Sequence, residues 1–150
     1  MLVRQVLNKK GATIHAIPRD MTVGDIVKIL VDKCIGTVLV TEQDSSLAGI
    51  VSERDIIRYL ALHGANALEL HAEEIMTRQV VTCTPTTALE TALEQMRAGS
   101  IRHLPVVHDG VPVGMISTKD LIAAQKRLLQ QDSDQWRRIG NAIGVGLRLD

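Results

Sequence analysis

Gly114-Met115-Ile116-Ser117-Thr118-Lys119-Asp120 decides how the chain is read, because it repeats Gly49-Ile50-Val51-Ser52-Glu53-Arg54-Asp55. Both segments run glycine, two apolar residues, serine, and an aspartate three positions on. An apolar pair ending at serine closes a short buried strand, and the charged, apolar-periodic run behind it opens a helix. Each copy is therefore a strand-to-helix junction, with serine at the N-cap and aspartate about one turn in. Unpaired amides and the positive end of the helix dipole welcome an anion at such a place. The serine hydroxyl can cap the helix or bond a phosphate oxygen. Aspartate accepts only, which suits two neighbouring hydroxyls such as those of a ribose. A capping box is the plainer explanation of Ser-x-x-Asp. Capping boxes use the longer Glu or Gln, however, and both copies carry the shorter Asp, so the doubled motif favours a nucleotide site.

The rest of the composition narrows the function classes. The chain has 150 residues, enough for one core or for two small ones sharing an interface. Its 17 basic and 17 acidic residues cancel, so the positive field that nucleic acid or an anionic membrane needs is missing. Tyr59 and Trp136 are the only aromatics, which leaves no stacking platform for single strands. No apolar run approaches ~18 residues, and the N-terminus has no long one, so neither a membrane span nor a signal peptide is expected. Cys34 and Cys83 lack C-x-x-C spacing and are expected as small buried hydrophobes in a reducing cytoplasm.

The repeat extends well beyond the two junctions. Pro18 recurs as Pro85, Leu30 as Met96 and Gly49 as Gly114, an offset that drifts only from 67 to 65 residues. Each half reads as strand, helix, strand, strand, helix. In the first, these are Thr13–Ile17, Met21–Cys34, Thr37–Thr41, Ala48–Ser52 and Asp55–His63, with Gly64 as the stop. In the second, they are Val80–Cys83, Thr87–Ala98 ended by Gly99, Leu104–Val107, Val111–Ser117 and Asp120–Gln130. The expected domains are residues 1–64 and 78–131, joined by a connector at 65–77 with a short helix at Ala72–Met76, and followed by a tail at 132–150. A βαββα unit of ~55–60 residues is near the lower limit of stability and leaves one sheet face bare. Packing two such units sheet against sheet, about a pseudo-two-fold axis, buries that face. The fold class is α+β.

This doubled order resembles paired cystathionine-beta-synthase (CBS) domains, the Bateman module, as found in stand-alone bacterial-type proteins. The two Gly-to-Asp segments carry the resemblance, together with Ile101-Arg102-His103-Leu104-Pro105-Val106 and Glu74-Ile75-Met76-Thr77, over about residues 1 to 130. The resemblance implies a sensor without catalytic activity or catalytic cofactor, which binds an adenosine-containing ligand such as AMP, ADP, ATP, NAD(H) or S-adenosylmethionine in clefts between the halves. It implies that Asp55 and Asp120 hold ribose hydroxyls, that Ser52 and Ser117 sit at the sugar or phosphate, and that Arg54 and Lys119 reach phosphates. It places Ile35-Gly36-Thr37 and Ile101-Arg102-His103 along the adenine and Arg78 at the mouth of the second site. The second copy has Arg-His-Leu-Pro, including Pro105, where the first has Gly-Thr-Val-Leu, so the two clefts need not take the same ligand. Relatives commonly pair into flat discs, which implies a homodimer.

Other chemistry finds little support. The five histidines are scattered without metal-ligand spacing, and G-x-S-x-G, the P-loop lysine and G-x-G-x-x-G are all missing. Gly144-Val145-Gly146 reads as a flexible tail, with disorder expected after Gly140. Residues Gln125 to Ile139 are polar apart from Leu128, Leu129, Trp136 and Ile139, and Trp136 is the best anchor for a second subunit or an effector protein. The rival expectation from a different class is an adaptor whose clefts are vestigial and whose surface recognises a protein.

Overall fold

The structure is a computed structural model, and it describes residues 1–142. It opens with a helix that the sequence reading left out, α1 (Val3–Lys10). Val3, Val6 and Leu7 fall on one face at helical spacing and are buried, while Lys9 and Lys10 occupy the last turn, where the dipole favours cations. The first half follows as β1 (Ala16–Pro18), α2 (Val23–Lys33), β2 (Thr37–Thr41), β3 (Leu47–Ser52) and α3 (Glu53–His63). After a 3-10 turn at Gly64–Glu69 comes the short α4 (Ala72–Ile75). The second half contains α5 (Leu89–Ala98), β4 (His103–His108), β5 (Val111–Ser117) and α6 (Thr118–Ala142).

The two halves are the same object built twice. Thr37 pairs with Ser52 and His103 with Ser117; Val40 pairs with Gly49 and Val106 with Gly114. Each hairpin shifts register at the same place, after Val40 and after Val106. Each preceding helix is closed by a residue in the left-handed region, Cys34 at φ 53° and Ser100 at φ 49°. The fold is α+β, with two small sheets, as the resemblance implies.

The halves differ at their first strand. The expected strand Val80–Cys83 is reduced to one parallel bridge between Cys83 and Val106. In the first half the Leu39 N–H donates to the His15 carbonyl at 2.9 Å and anchors β1 along β2. Its counterpart is Pro105, which has no N–H to give. Only the Cys83 N–H to Pro105 carbonyl (3.0 Å) and the Val107 N–H to Cys83 carbonyl (2.8 Å) remain. Other boundaries move too. α5 begins at Leu89 rather than Thr87 and ends at Ala98 with Gly99 as its cap, as expected, and the left-handed residue is the next one, Ser100. The last helix runs on through residue 130 to Ala142, taking in residues 141–142, where disorder was expected. The reading of Gly144-Val145-Gly146 as a tail lies outside the described residues.

Each half is completed by the short helix that precedes the other half in sequence. Val3, Val6 and Leu7 of α1 share a core with Cys83, Leu89, Met96, Leu104, Val106, Ile116 and Leu121. Ala72, Ile75 and Met76, from α4 and the residue after it, enter the core of Ile17, Ile26, Leu30, Val38, Val51 and Ile56 at matching positions. Burying each such side chain stabilises the fold by roughly 1.5–3 kcal/mol. The chain therefore crosses over: α1 comes first in sequence and packs on the second half. Backbone bonds fix it there, from Val3 N–H to the Thr87 carbonyl and from Arg4 N–H to the Pro85 carbonyl, both 2.9 Å. A further bond ties the halves together, Leu47 N–H to the Gly110 carbonyl at 3.0 Å. Cys34 does not enter a core. Its helix-capping position turns it out to an exposed site, and Cys83 alone is buried, where burial pushes its thiol up to about 11.

Candidate functional site

Ser52 and Ser117 are the last residues of β3 and β5 and the caps of α3 and α6. The Asp55 N–H donates to Ser52 Oγ at 3.2 Å, while the Ser52 N–H and hydroxyl both donate to Asp55 Oδ2 at 2.9 Å. Around Asp120 the same three bonds measure 3.3, 2.8 and 2.9 Å. These are reciprocal capping boxes, so the expectation that Asp is too short to close one is corrected. Ser52 is extended, at φ −110° and ψ 161°, which turns its own N–H toward the carboxylate one turn on and makes the shorter arm sufficient. The box uses one oxygen of each aspartate. Among the described residues Asp120 Oδ1 accepts no hydrogen bond, and Asp55 Oδ1 lies 3.9 Å from Arg58 Nη1. Capping and ligand holding are thus compatible at one side chain.

The halves enclose a cleft of about 330 Å³ beside the second junction. Ile35, Gly36 and Thr37 of the first half face His103, Ser117 and Met115 of the second across it. The volume lies at the lower end of the range for small-molecule sites. Lys10, which the sequence reading did not single out, also lines the cleft and donates from Nζ to Asp120 Oδ2 at 2.6 Å. Its placement follows from α1: burying Val3, Val6 and Leu7 leaves the last turn projecting past the second half, and Gly11, at φ 89°, ends the helix there. The apolar spacing of residues 3, 6 and 7 is the signal that could have found it.

Charge in the cleft is closely matched. Burial raises the Asp120 carboxyl, but the Lys10 ammonium and the Ser117 N–H and hydroxyl outweigh it and hold the group below its ordinary value. Burial first, then Arg102 and Lys10, hold the His103 imidazole below its ordinary value against the opposing pull of Asp120 and Glu53. His103 is therefore neutral at pH 7.

The other expected site residues are dispersed. Arg54 and Lys119 are exposed on the first turns of α3 and α6, as is Arg102, whose carbonyl accepts the Thr118 N–H at 3.0 Å. Arg78 is exposed and donates from Nη2 to the Glu73 carbonyl at 3.0 Å, away from the cleft. Ile101 borders a separate groove of about 470 Å³ with Leu93, Met96 and Arg97 on the second half. Pro105 is buried in β4 opposite Met115. Around the first junction Asp55 is 7% exposed, and the Glu53 carboxylate lies over Gly36, so a Cβ there would sit 2.9 Å from Glu53 Oε1. Among the described residues no group of three or more His, Cys, Asp or Glu is placed to hold a metal ion, and no helix is long and apolar enough to cross a membrane.

Two matched half-domains with a cleft between them and a capped aspartate at each helix entry define a tandem domain pair. The CBS domain family model matches residues 3–62 and 72–127, so the chain belongs to the CBS domain family. Both matches begin at the short helix, α1 or α4, that completes a half. The chain is 34% identical over 131 residues to the mitochondrial CBS domain-containing protein CBSX3 of Arabidopsis thaliana, covering 85% of this chain and 62% of that one. A CBS domain protein from Pyrobaculum aerophilum complexed with AMP superposes with a TM-score of 0.75 at 28% identity, over 89% of this chain and 99% of that one. A CBS domain pair in complex with 5′-methylthioadenosine and S-adenosyl-L-methionine superposes with a TM-score of 0.70 at 25% identity, over 88% and 98%.

Proposed function

We propose that this chain is a regulatory module that binds an adenosine-containing small molecule, of the class AMP, ADP, ATP or NAD(H), between its two halves. One observation carries the reading. A cleft shared by both halves is lined by Lys10 and Ser117, which both bond Asp120, a partly buried carboxylate just behind that wall with one oxygen committed to its helix cap and the other without a hydrogen bond among the described residues. Ribose hydroxyls are donors that such an oxygen accepts. The Pyrobaculum complex with AMP and the complex with methylthioadenosine and S-adenosylmethionine support the class of ligand. Because Ile35–Thr37 and His103–Ser117 lie in different halves, a ligand touching both favours one arrangement of the halves over others. That is regulation by population shift, and it requires a ligand whose affinity differs between the arrangements. We assign no reaction and no catalytic residue to the module. We place it in the cytoplasm as a homodimer with residues 1–64, 78–131 and 132–150 as first domain, second domain and tail. The equivalent exposed residues Ile57 and Ile122, on α3 and α6, would contribute to the dimer face.

A second reading, the adaptor, draws on α6. Beyond the core contacts of Leu121 and Ala124 it continues for several turns, with Leu129 and Trp136 each 66% exposed. Ligand-induced stabilisation separates the two. A ligand at about 100 times its Kd stabilises the folded state by about 2.7 kcal/mol, which raises Tm by several degrees. AMP at millimolar concentration is expected to raise Tm in wild type and to fail in Asp120→Asn. No shift with AMP, ATP, NAD or S-adenosylmethionine would leave the adaptor.

A further inference from the structure

Lys10 is the one cationic side chain among the described residues that line the cleft; the remainder of the wall is glycine, threonine, serine, cysteine, apolar groups and the two histidines His15 and His103. Its ammonium is spent on Asp120 at 2.6 Å, and both groups are only partly exposed, at 34% and 22%. Two ribose hydroxyls on Asp120 would fill the free Oδ1 and compete with the Lys10 ammonium for Oδ2, so Lys10 would lose its anion in a half-buried place. Such a loss is costly unless a second anion arrives. A phosphate on the incoming ligand supplies that anion, whereas a neutral nucleoside does not and a sulfonium adds a second cation beside the first. As the one cation among the described lining residues, Lys10 is the side chain placed to take the phosphate charge. Among the described residues the first junction lacks this arrangement: the one cation paired with Asp55 is Arg58 of its own helix, at 3.9 Å.

We propose that Lys10 sets ligand class at the Asp120 cleft, selecting an anionic adenosine ligand, a nucleoside phosphate, over neutral and sulfonium-bearing adenosine compounds. The inference rests on the adenosine reading above and deepens it, since the ligands of the two related complexes fall on opposite sides of this choice. In the free protein Lys10 is held by Asp120; in the bound one it moves within the cleft from carboxylate to phosphate.

Calorimetric titration of the full chain with AMP, 5′-methylthioadenosine and S-adenosylmethionine tests this, in wild type, Lys10→Met and Lys10→Arg. The expected result is AMP at least about tenfold tighter than either of the others in wild type, with Lys10→Met losing about tenfold for AMP alone and Lys10→Arg retaining the preference. Unchanged relative affinities in Lys10→Met, or a wild type that takes S-adenosylmethionine as tightly as AMP, would overturn the role of Lys10 and leave the adenosine reading standing. Binding of none of the three, nor of ATP or NAD, by wild type would overturn both. A melting curve for each variant, alone, separates lost affinity from lost fold.

Discussion

At Asp120 a single carboxylate caps a helix and, under the proposed function, also receives the ribose. Oδ2 takes the Ser117 amide, the Ser117 hydroxyl and the Lys10 ammonium. Because these donors hold its folded value below the ordinary one, the stabilisation they provide is present above the unfolded carboxylate value and is lost as pH falls through the folded one. Wild type is therefore expected to lose its advantage over Lys10→Met as pH drops from about 5 toward 3, with the two melting curves converging in acid. A gap between them that stays constant down to pH 3 would contradict the pairing. Much of this residue's surroundings could be read from sequence, because Ser-x-x-Asp occurs twice at matching positions of a repeat. Two features could not. The reach of Asp in a capping box depends on the φ and ψ of the serine, and Lys10 stands 110 residues from its partner.

Among the elements, the glycine that opens each repeated segment explains how the halves are closed. A Cβ at Gly49 would lie 2.6 Å from Met76 Sδ and 2.9 Å from the Thr77 carbonyl oxygen; one at Gly114 would lie 2.8 Å from Leu7 Cδ1. Each glycine is the floor on which the short helix that completes its half, or the residue after that helix, rests its last apolar side chain. Gly49→Ala and Gly114→Ala are both expected to destabilise, by roughly 1–3 kcal/mol as overpacking generally does. Gly49→Ala should be the more harmful, since a backbone oxygen blocks it where Leu7 can change rotamer. Urea midpoints of the two variants check this, and equal or neutral effects would count against the packing. The equivalence of α1 and α4 was hidden in the sequence because only their apolar spacing is shared: Val3, Val6 and Leu7 against Ala72, Ile75 and Met76. The expected strand Val80–Cys83 failed for the opposite reason. Its own residues suit a strand, but the partner at Pro105 withholds the hydrogen bond, and no local pattern reports what a distant partner lacks.

For the whole molecule, duplication created a cleft and α1 made its two sides unequal. The crossover of α1 onto the second half brings Lys10 to Asp120, while on the first half Glu53 lies over Gly36 and Asp55 is nearly enclosed. Two formally equivalent motifs thus have different electrostatics, as the divergence of Gly36-Thr37 from Arg102-His103 suggested in sequence. The central claim is that the shared cleft holds an adenosine ligand through the Asp120 carboxylate. A crystal structure of the full chain grown with AMP tests it most directly. The predicted result is a ribose hydroxyl within hydrogen-bond distance of Asp120, with Lys10 Nζ moved from the carboxylate onto the phosphate. An empty cleft at saturating AMP, with Lys10 still on Asp120 Oδ2, would contradict it.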